Sequence, residues 1–177
     1  MATTPRLLVI SGMPGAGKSS LARKLGEKLE RAAHVEADVL QSLIVSGAEN
    51  GTVDGISEES WRQIQLRLRH AVLLAKSFVA SGFTAIIDDI VTGPRFDDLL
   101  RELDGHVFSF IMLQPPLAVL KERYRAMNSP FVDAFDWIDE EIRTATPRVG
   151  LWIDNGGQSE DETLAIILER LAESEVF

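Results

Sequence analysis

Residues 6–10, Arg-Leu-Leu-Val-Ile, run straight into Ser-Gly-Met-Pro-Gly-Ala-Gly-Lys-Ser-Ser at 11–20. A short unbroken apolar run is the pattern of a strand buried on both faces. Beyond the turn, Leu21, Leu25 and Leu29 recur at helical spacing. The chain therefore starts strand, tight loop, helix, and Gly12, Gly17, Lys18 and Ser19 stand in the G-x-x-x-x-G-K-[ST] spacing of a phosphate loop, the Walker A pattern. Each fixed position has a physical task. The glycines let the backbone coil tightly and approach phosphate oxygens with no Cβ in the way. Backbone N–H groups from Gly15 through Ala16, Gly17, Lys18 and Ser19, with Ser20 beside them, can converge on an anion at a helix N-terminus, where the dipole adds roughly half a positive charge. Pro14 has no N–H and stiffens the loop. Lys18 is expected on the β- and γ-phosphates, and the Ser19 hydroxyl on Mg2+.

Further along, strand and helix patterns alternate. Ala32–Asp38 reads as a second strand, and Phe83–Ile87 as a third that ends at Asp88 and Asp89. His106–Leu113 is a fourth and Gly150–Ile153 a brief fifth. Between the second and third lies an exposed Gly-rich excursion. A long helix follows it from Ser57 to Gly82, with Trp61, Ile64, Leu68, Ala71, Ala75 and Val79 on one stripe. The last helix opens with Ser159 and Glu162 at capping-box spacing. Strands alternating with helices imply an α/β fold, a parallel sheet with helices on both faces, and active sites of such sheets lie beyond the carboxyl ends of the strands.

That rule singles out the acids after the strands. Asp88 or Asp89 is the acid expected to support Mg2+, with Asp88 the choice for the metal side and the other capping the next loop. Asp38 is placed to accept a proton from a substrate hydroxyl as it attacks the γ-phosphate. The competing reading of Asp38 is a helix N-cap before Val39, and Glu36 is a weaker substitute for the base. Phosphoryl transfer needs further positive charge around the transferred group. Arg123, Arg125, Arg143 and Arg148, with Lys121, supply it after the fourth strand, unless they form an ordinary solvated helix face. Between them Asn128–Trp137, with Phe131, Phe135 and Trp137, reads as part of a lid around 123–147 or as core.

Bulk properties narrow the classes. A length of 177 residues with 45% hydrophobic content suits one domain with one substantial core. There is no Cys, which excludes disulfides, thiolate metal sites and Cys nucleophiles. A net charge of −9 argues against a nucleic-acid polymer as the main ligand. Without a long apolar run or a leader-like start, a membrane is not expected as partner and a cytoplasmic location is. His34, His70 and His106 are isolated in sequence and read as structural or surface residues.

The chain resembles the small P-loop kinases of the nucleoside-monophosphate-kinase-like group, and particularly the chloramphenicol phosphotransferase-like proteins. The likeness rests on ISGMPGAGKSSLARKL, VEADVL, GFTAIIDDIVTG and LQPPLAVLKERYRAM. It implies a three-layer P-loop NTPase fold with a five-stranded parallel sheet in the order 2-3-1-4-5. It also implies ATP and Mg2+ as cofactors and Asp38 as base toward a hydroxyl acceptor. Residues 42–61, SLIVSGAENGTVDGISEESW, match no acceptor signature, and a pocket built from the 41–62 excursion could take an antibiotic, a sugar, a nucleoside or another metabolite. The expected activity is ATP-dependent phosphorylation of a small-molecule hydroxyl, with Lys18, Asp38 and Arg123 as catalytic residues. Nucleotide hydrolysis, with Asp89 positioning water, and a non-catalytic nucleotide-binding regulator are the alternatives. The guanine-reading N-K-x-D tetrapeptide is absent; ATP against GTP, the acceptor, and monomer against dimer stay open.

Overall fold

The first strand, β1 (Leu7–Gly12), is buried along its whole length, and the rest of the chain is laid out around it. The computed structural model describes residues 6–51, 55–129 and 132–176. β2 (Ala32–Glu36), β3 (Thr84–Asp88), β4 (Phe108–Leu113) and β5 (Leu151–Ile153) join β1 in a parallel sheet of order β2-β3-β1-β4-β5. β1, β3 and β4 are buried throughout, as expected for strands covered on both faces. A sixth strand that the sequence pattern did not reveal, β6 (Glu175–Val176), pairs antiparallel with Phe108 and Ser109 of β4. This two-residue segment is too short to leave a periodic signal.

One layer carries α1 (Lys18–Glu27) against β1, β2 and β3, with α7 (Glu160–Glu169) beside it. The opposite layer carries α3 (Glu58–Ala80) against β2 and β3, and α4 (Pro94–Leu103) beside α3. Leu68, Ala71, Val72 and Ala75 of α3 enter the core, so the stripe read from the sequence faces the sheet along its central part. Ser57 caps α3, accepting from the Ser60 N–H, and Ser159 and Glu162 form the expected capping box of α7. The short α2 (Ala37–Ser42) follows β2 directly. α5 (Leu117–Ala126) and α6 (Asp136–Thr144) come between β4 and β5.

The second strand ends two residues earlier than the pattern suggested. Its last residue, Glu36, is the N-cap of α2, which places Asp38 inside the first turn of that helix. The N-cap reading of Asp38 is thereby corrected. Helix geometry begins as soon as the chain clears the sheet, and Ala37 is buried against the core side.

Candidate active site

The phosphate loop spans the gap between β1 and α1 with three glycines at positive φ: Gly12 at 148°, Gly15 at 74° and Gly17 at 93°. A Cβ on Gly12 would sit 2.5 Å from the Leu113 carbonyl oxygen, so only glycine lets β1 turn away there. Gly17 caps α1 with no side-chain hydrogen bond, and the first turn holds no acid. The positive end of the helix is therefore left to an external anion. Ala16 is fully buried beneath the loop, Ser19 lies just inside α1, and Ser20 is exposed beside it.

Three neighbours brace this loop, and the sequence pointed to only one of them. Arg123 of α5 donates to the Gly15 carbonyl oxygen at 3.0 Å and to that of Asn155 at 3.4 Å. Asn155 in turn donates from Nδ2 to the Ala16 carbonyl oxygen at 2.9 Å. The Tyr124 hydroxyl donates to the Pro14 carbonyl oxygen. Burial, with Asp136 adding to it, pushes the Tyr124 pKa up to about 12, so the donor proton is retained. Lys18 places Nζ 3.1 Å from the Met13 carbonyl oxygen. Burial outweighs the opposing pull of Asp88, Asp89 and Asp38 and holds its pKa below the ordinary lysine value.

The two consecutive acids at the end of β3, Asp88 within it and Asp89 just beyond, face opposite sides of the sheet. Asp88 faces the α1 layer, where its Oδ1 accepts from Ser19 Oγ at 3.2 Å and its Oδ2 meets His34 Nε2. Asp89 faces the α3 and α4 layer, where Oδ1 accepts from Arg67 Nη2 at 2.6 Å and Oδ2 from Arg95 Nη2 at 2.7 Å. Burial pushes the Asp89 pKa up, but the guanidinium groups of Arg95 and Arg67 outweigh it and hold the carboxyl below its usual range. Both acids are nearly inaccessible, at 4% and 3% exposure.

Arg67 links this anchor to the candidate base. Its Nη1 donates to Asp38 Oδ1 at 2.9 Å, and the Asp38 side chain is 80% exposed. Asp38, Arg67 and Arg95 line one cavity of about 320 Å³ together with Pro14 of the phosphate loop. Trp61, Ile64, Phe135, Trp137 and Ile138 form its apolar walls, with the rings of Trp61 and Trp137 edge to face at 6.2 Å. Glu141 closes one side and accepts a hydrogen bond from the Thr92 hydroxyl.

The remaining sequence candidates are scattered. Arg125 is exposed on α5 and acts on Asp133 through its charge. Arg143 is held by Asp139 at 3.0 Å and Glu140 at 2.7 Å on its own helix. The described contacts bring neither to the loop. Lys121 pairs with Asp133 and Asp136, and Arg148 stacks over Trp152 at 4.2 Å. Phe131 lies outside the described residues.

For a divalent cation, the donors at hand are the Ser19 hydroxyl and the Asp88 carboxylate. No group of three or more His, Cys, Asp or Glu side chains among the described residues forms a self-sufficient metal cage. That sparse, all-oxygen set fits Mg2+, which is usually held by one or two carboxylates plus substrate phosphates and water. No helix among the described residues is long and apolar enough to cross a membrane.

The same architecture recurs in solved structures. The Deinococcus radiodurans tunicamycin resistance protein superposes with a TM-score of 0.71 at 20% identity, covering 98% of this chain and 99% of that one. A sugar kinase from Janibacter sp. HTCC2649 gives 0.68 at 19% identity over 96% of each chain. The APS kinase of Mycobacterium tuberculosis, in complex with AMPPNP and APS, gives 0.69 at 17% identity over 96% of this chain and 98% of that one. At these identities the likeness is one of fold, a P-loop kinase fold. No match is found among curated protein sequences. A family model described as an AAA domain matches residues 7–149, the stretch that carries the phosphate loop, all three strand-end acids and the cavity walls, and the chain belongs to that family.

Proposed function

We propose that this protein transfers the γ-phosphoryl group of ATP to a hydroxyl of a small molecule bound in the cavity between α2, α3 and α6. The observation that carries the reading is the shared wall: Asp38 and the phosphate-loop residue Pro14 line one cavity. A hydroxyl bound there lies between a carboxylate and the end of a triphosphate threaded along the loop.

In this reading the loop N–H groups and Lys18 hold the β- and γ-phosphates, and Arg123 clamps the loop from α5. Ser19 and Asp88 would hold Mg2+, which supplies charge neutralisation at the phosphates when bound. Asp38, steadied by Arg67, accepts the acceptor's hydroxyl proton as its oxygen attacks the γ-phosphorus. The bond from that phosphorus to the bridging oxygen breaks, and ADP leaves. This is the role that the resemblance to chloramphenicol phosphotransferase-like proteins implies for Asp38. Hydrolysis through Asp89 is disfavoured, because both of its oxygens are committed to arginines. Around the cavity three carboxylates, Asp38, Asp89 and Glu141, face the two guanidinium groups of Arg67 and Arg95, which leaves an excess of negative charge. That suits a neutral or cationic alcohol with a flat apolar body better than a sugar acid.

The test is ADP release from Mg·ATP, alone and with hydroxyl compounds graded in charge and apolar surface. Release stimulated by an acceptor, with the phosphorylated product seen by mass spectrometry, is the expected result. Acceptor-independent release would replace the kinase reading with a hydrolase. Nucleotide binding with no release under any condition would favour a regulator.

A further inference from the structure

His34 is an isolated histidine in the middle of β2, and nothing in its sequence context sets it apart. The parallel register pairs Glu36 with Asp88 and His34 with Ile86. Side chains two apart on a strand share a face, so His34 stands below Asp88 on the α1 side of the sheet. Its ring reaches up to Asp88 Oδ2, while Asp88 Oδ1 accepts from Ser19 Oγ. A carboxylate buried to this degree holds one orientation only when both oxygens have partners, and the imidazole supplies the partner on the side away from Ser19.

We propose that His34 is the positioning residue for the metal-supporting carboxylate. By donating from Nε2 to Oδ2, it keeps Oδ1 of Asp88 aimed at the Ser19 hydroxyl, the pair of oxygens that fits Mg2+ at the phosphate loop. The proposal rests on the nucleotide-binding reading of that loop. It adds that affinity for the cation, rather than for the phosphates, depends on a residue of the neighbouring strand. Glutamine can place its amide N–H near the position of Nε2. Asparagine is too short to reach, and leucine fills the space without a donor.

Calorimetric titration of AMPPNP into wild-type protein, His34→Gln, His34→Asn and His34→Leu, across a Mg2+ series and in EDTA, tests this. The expected result is that His34→Leu and His34→Asn raise the Mg2+ concentration giving half-maximal tightening by about tenfold or more, the scale seen when a partner of a metal-ligating group is removed. Affinity in EDTA stays at the wild-type value, and His34→Gln restores the Mg2+ response to within about threefold. If His34→Leu fails to fold, the Gln and Asn pair carries the comparison. An unchanged Mg2+ response in both His34→Leu and His34→Asn overturns the proposal. So does an equal loss in EDTA, which would make the ring a structural support of the loop. Wild-type protein that binds no AMPPNP, or binds it without any Mg2+ effect, would instead overturn the underlying nucleotide reading and the proposal with it.

Discussion

At the scale of single residues, the site turns on two adjacent aspartates with different tasks. Consecutive residues at the end of a strand project to opposite faces, so Asp88 meets Ser19 and Asp89 meets Arg67 and Arg95. Asp38→Asn keeps the shape of the candidate base and removes its proton affinity. Acceptor-dependent turnover is expected to fall by about 100-fold or more while AMPPNP affinity stays unchanged, measured by coupled ADP release and calorimetry. Asp89→Asn has a different consequence. It leaves buried Arg95 without its counter-charge and Arg67 with the exposed Asp38 alone, at a cost of about 3–5 kcal/mol in urea unfolding at neutral pH. Because the Asp89 pKa is depressed in the folded state, its stabilisation is present above the ordinary aspartate value of about 3.9 and is lost as pH falls through the depressed one. The gap between wild type and Asp89→Asn should therefore be constant near neutrality and shrink only below about pH 4. The sequence offered both acids for the metal side, and strand alternation sends them to different layers only once the layers are known. Arg67, Arg95 and His34 could not be found that way: an arginine on a helix looks like any solvated arginine until the helix is docked on its strand.

The elements that close the cavity are fastened at one end. α6 is tied to the turn between β3 and α4 by Glu141 on Thr92, and by Thr146 Oγ1, which accepts from the Gly93 N–H at 2.9 Å and donates to the Glu141 carbonyl at 3.1 Å. Gly93 has φ of 48°, and a Cβ on it would lie 2.5 Å from Glu141 Cδ, so this turn fits closely against α6. Any lid motion within 123–147 is therefore expected to leave the later part of α6 in place. Thr146→Val leaves the buried Gly93 N–H without an acceptor and should cost about 1–3 kcal/mol in urea unfolding. Hydrogen exchange should quicken around α6 in that variant. Ser159→Ala, which removes the α7 cap far from the cavity, should cost about 1 kcal/mol and leave α6 exchange unchanged. The α7 cap was legible because a capping box is a local pattern. The α6 anchor was not, because Thr92 and Glu141 are 49 residues apart and neither belongs to a motif.

Across the whole molecule, the proposed function divides two binding tasks between the faces of the sheet. Ser19, Asp88 and His34 lie on the α1 side, whereas Asp89, Arg67, Arg95 and the aromatic walls lie on the α3 side, where Pro14 of the phosphate loop also joins the cavity wall. The strand order that the resemblance implied is the order observed, since hydrophobic runs and the loop motif suffice to place strands in a known architecture. The cavity was legible only in part: Gly51, Ile56 and Trp61 come from the 41–62 excursion that the sequence offered for a pocket, whereas its other walls come from α4, α6 and the rest of α3, far apart in sequence. This division has a measurable consequence. Saturating AMPPNP at 100 times its dissociation constant should stabilise the wild type by about 2.7 kcal/mol, and Lys18→Ala should abolish most of that gain. Trp61→Ala, on the other face, should leave the AMPPNP gain intact while raising the KM of an identified acceptor by about tenfold or more, the scale of losing an apolar contact in a binding pocket. If Trp61→Ala instead reduced AMPPNP stabilisation as much as Lys18→Ala does, the two faces would not be separate sites, and the cavity would have to be reassigned to the nucleotide.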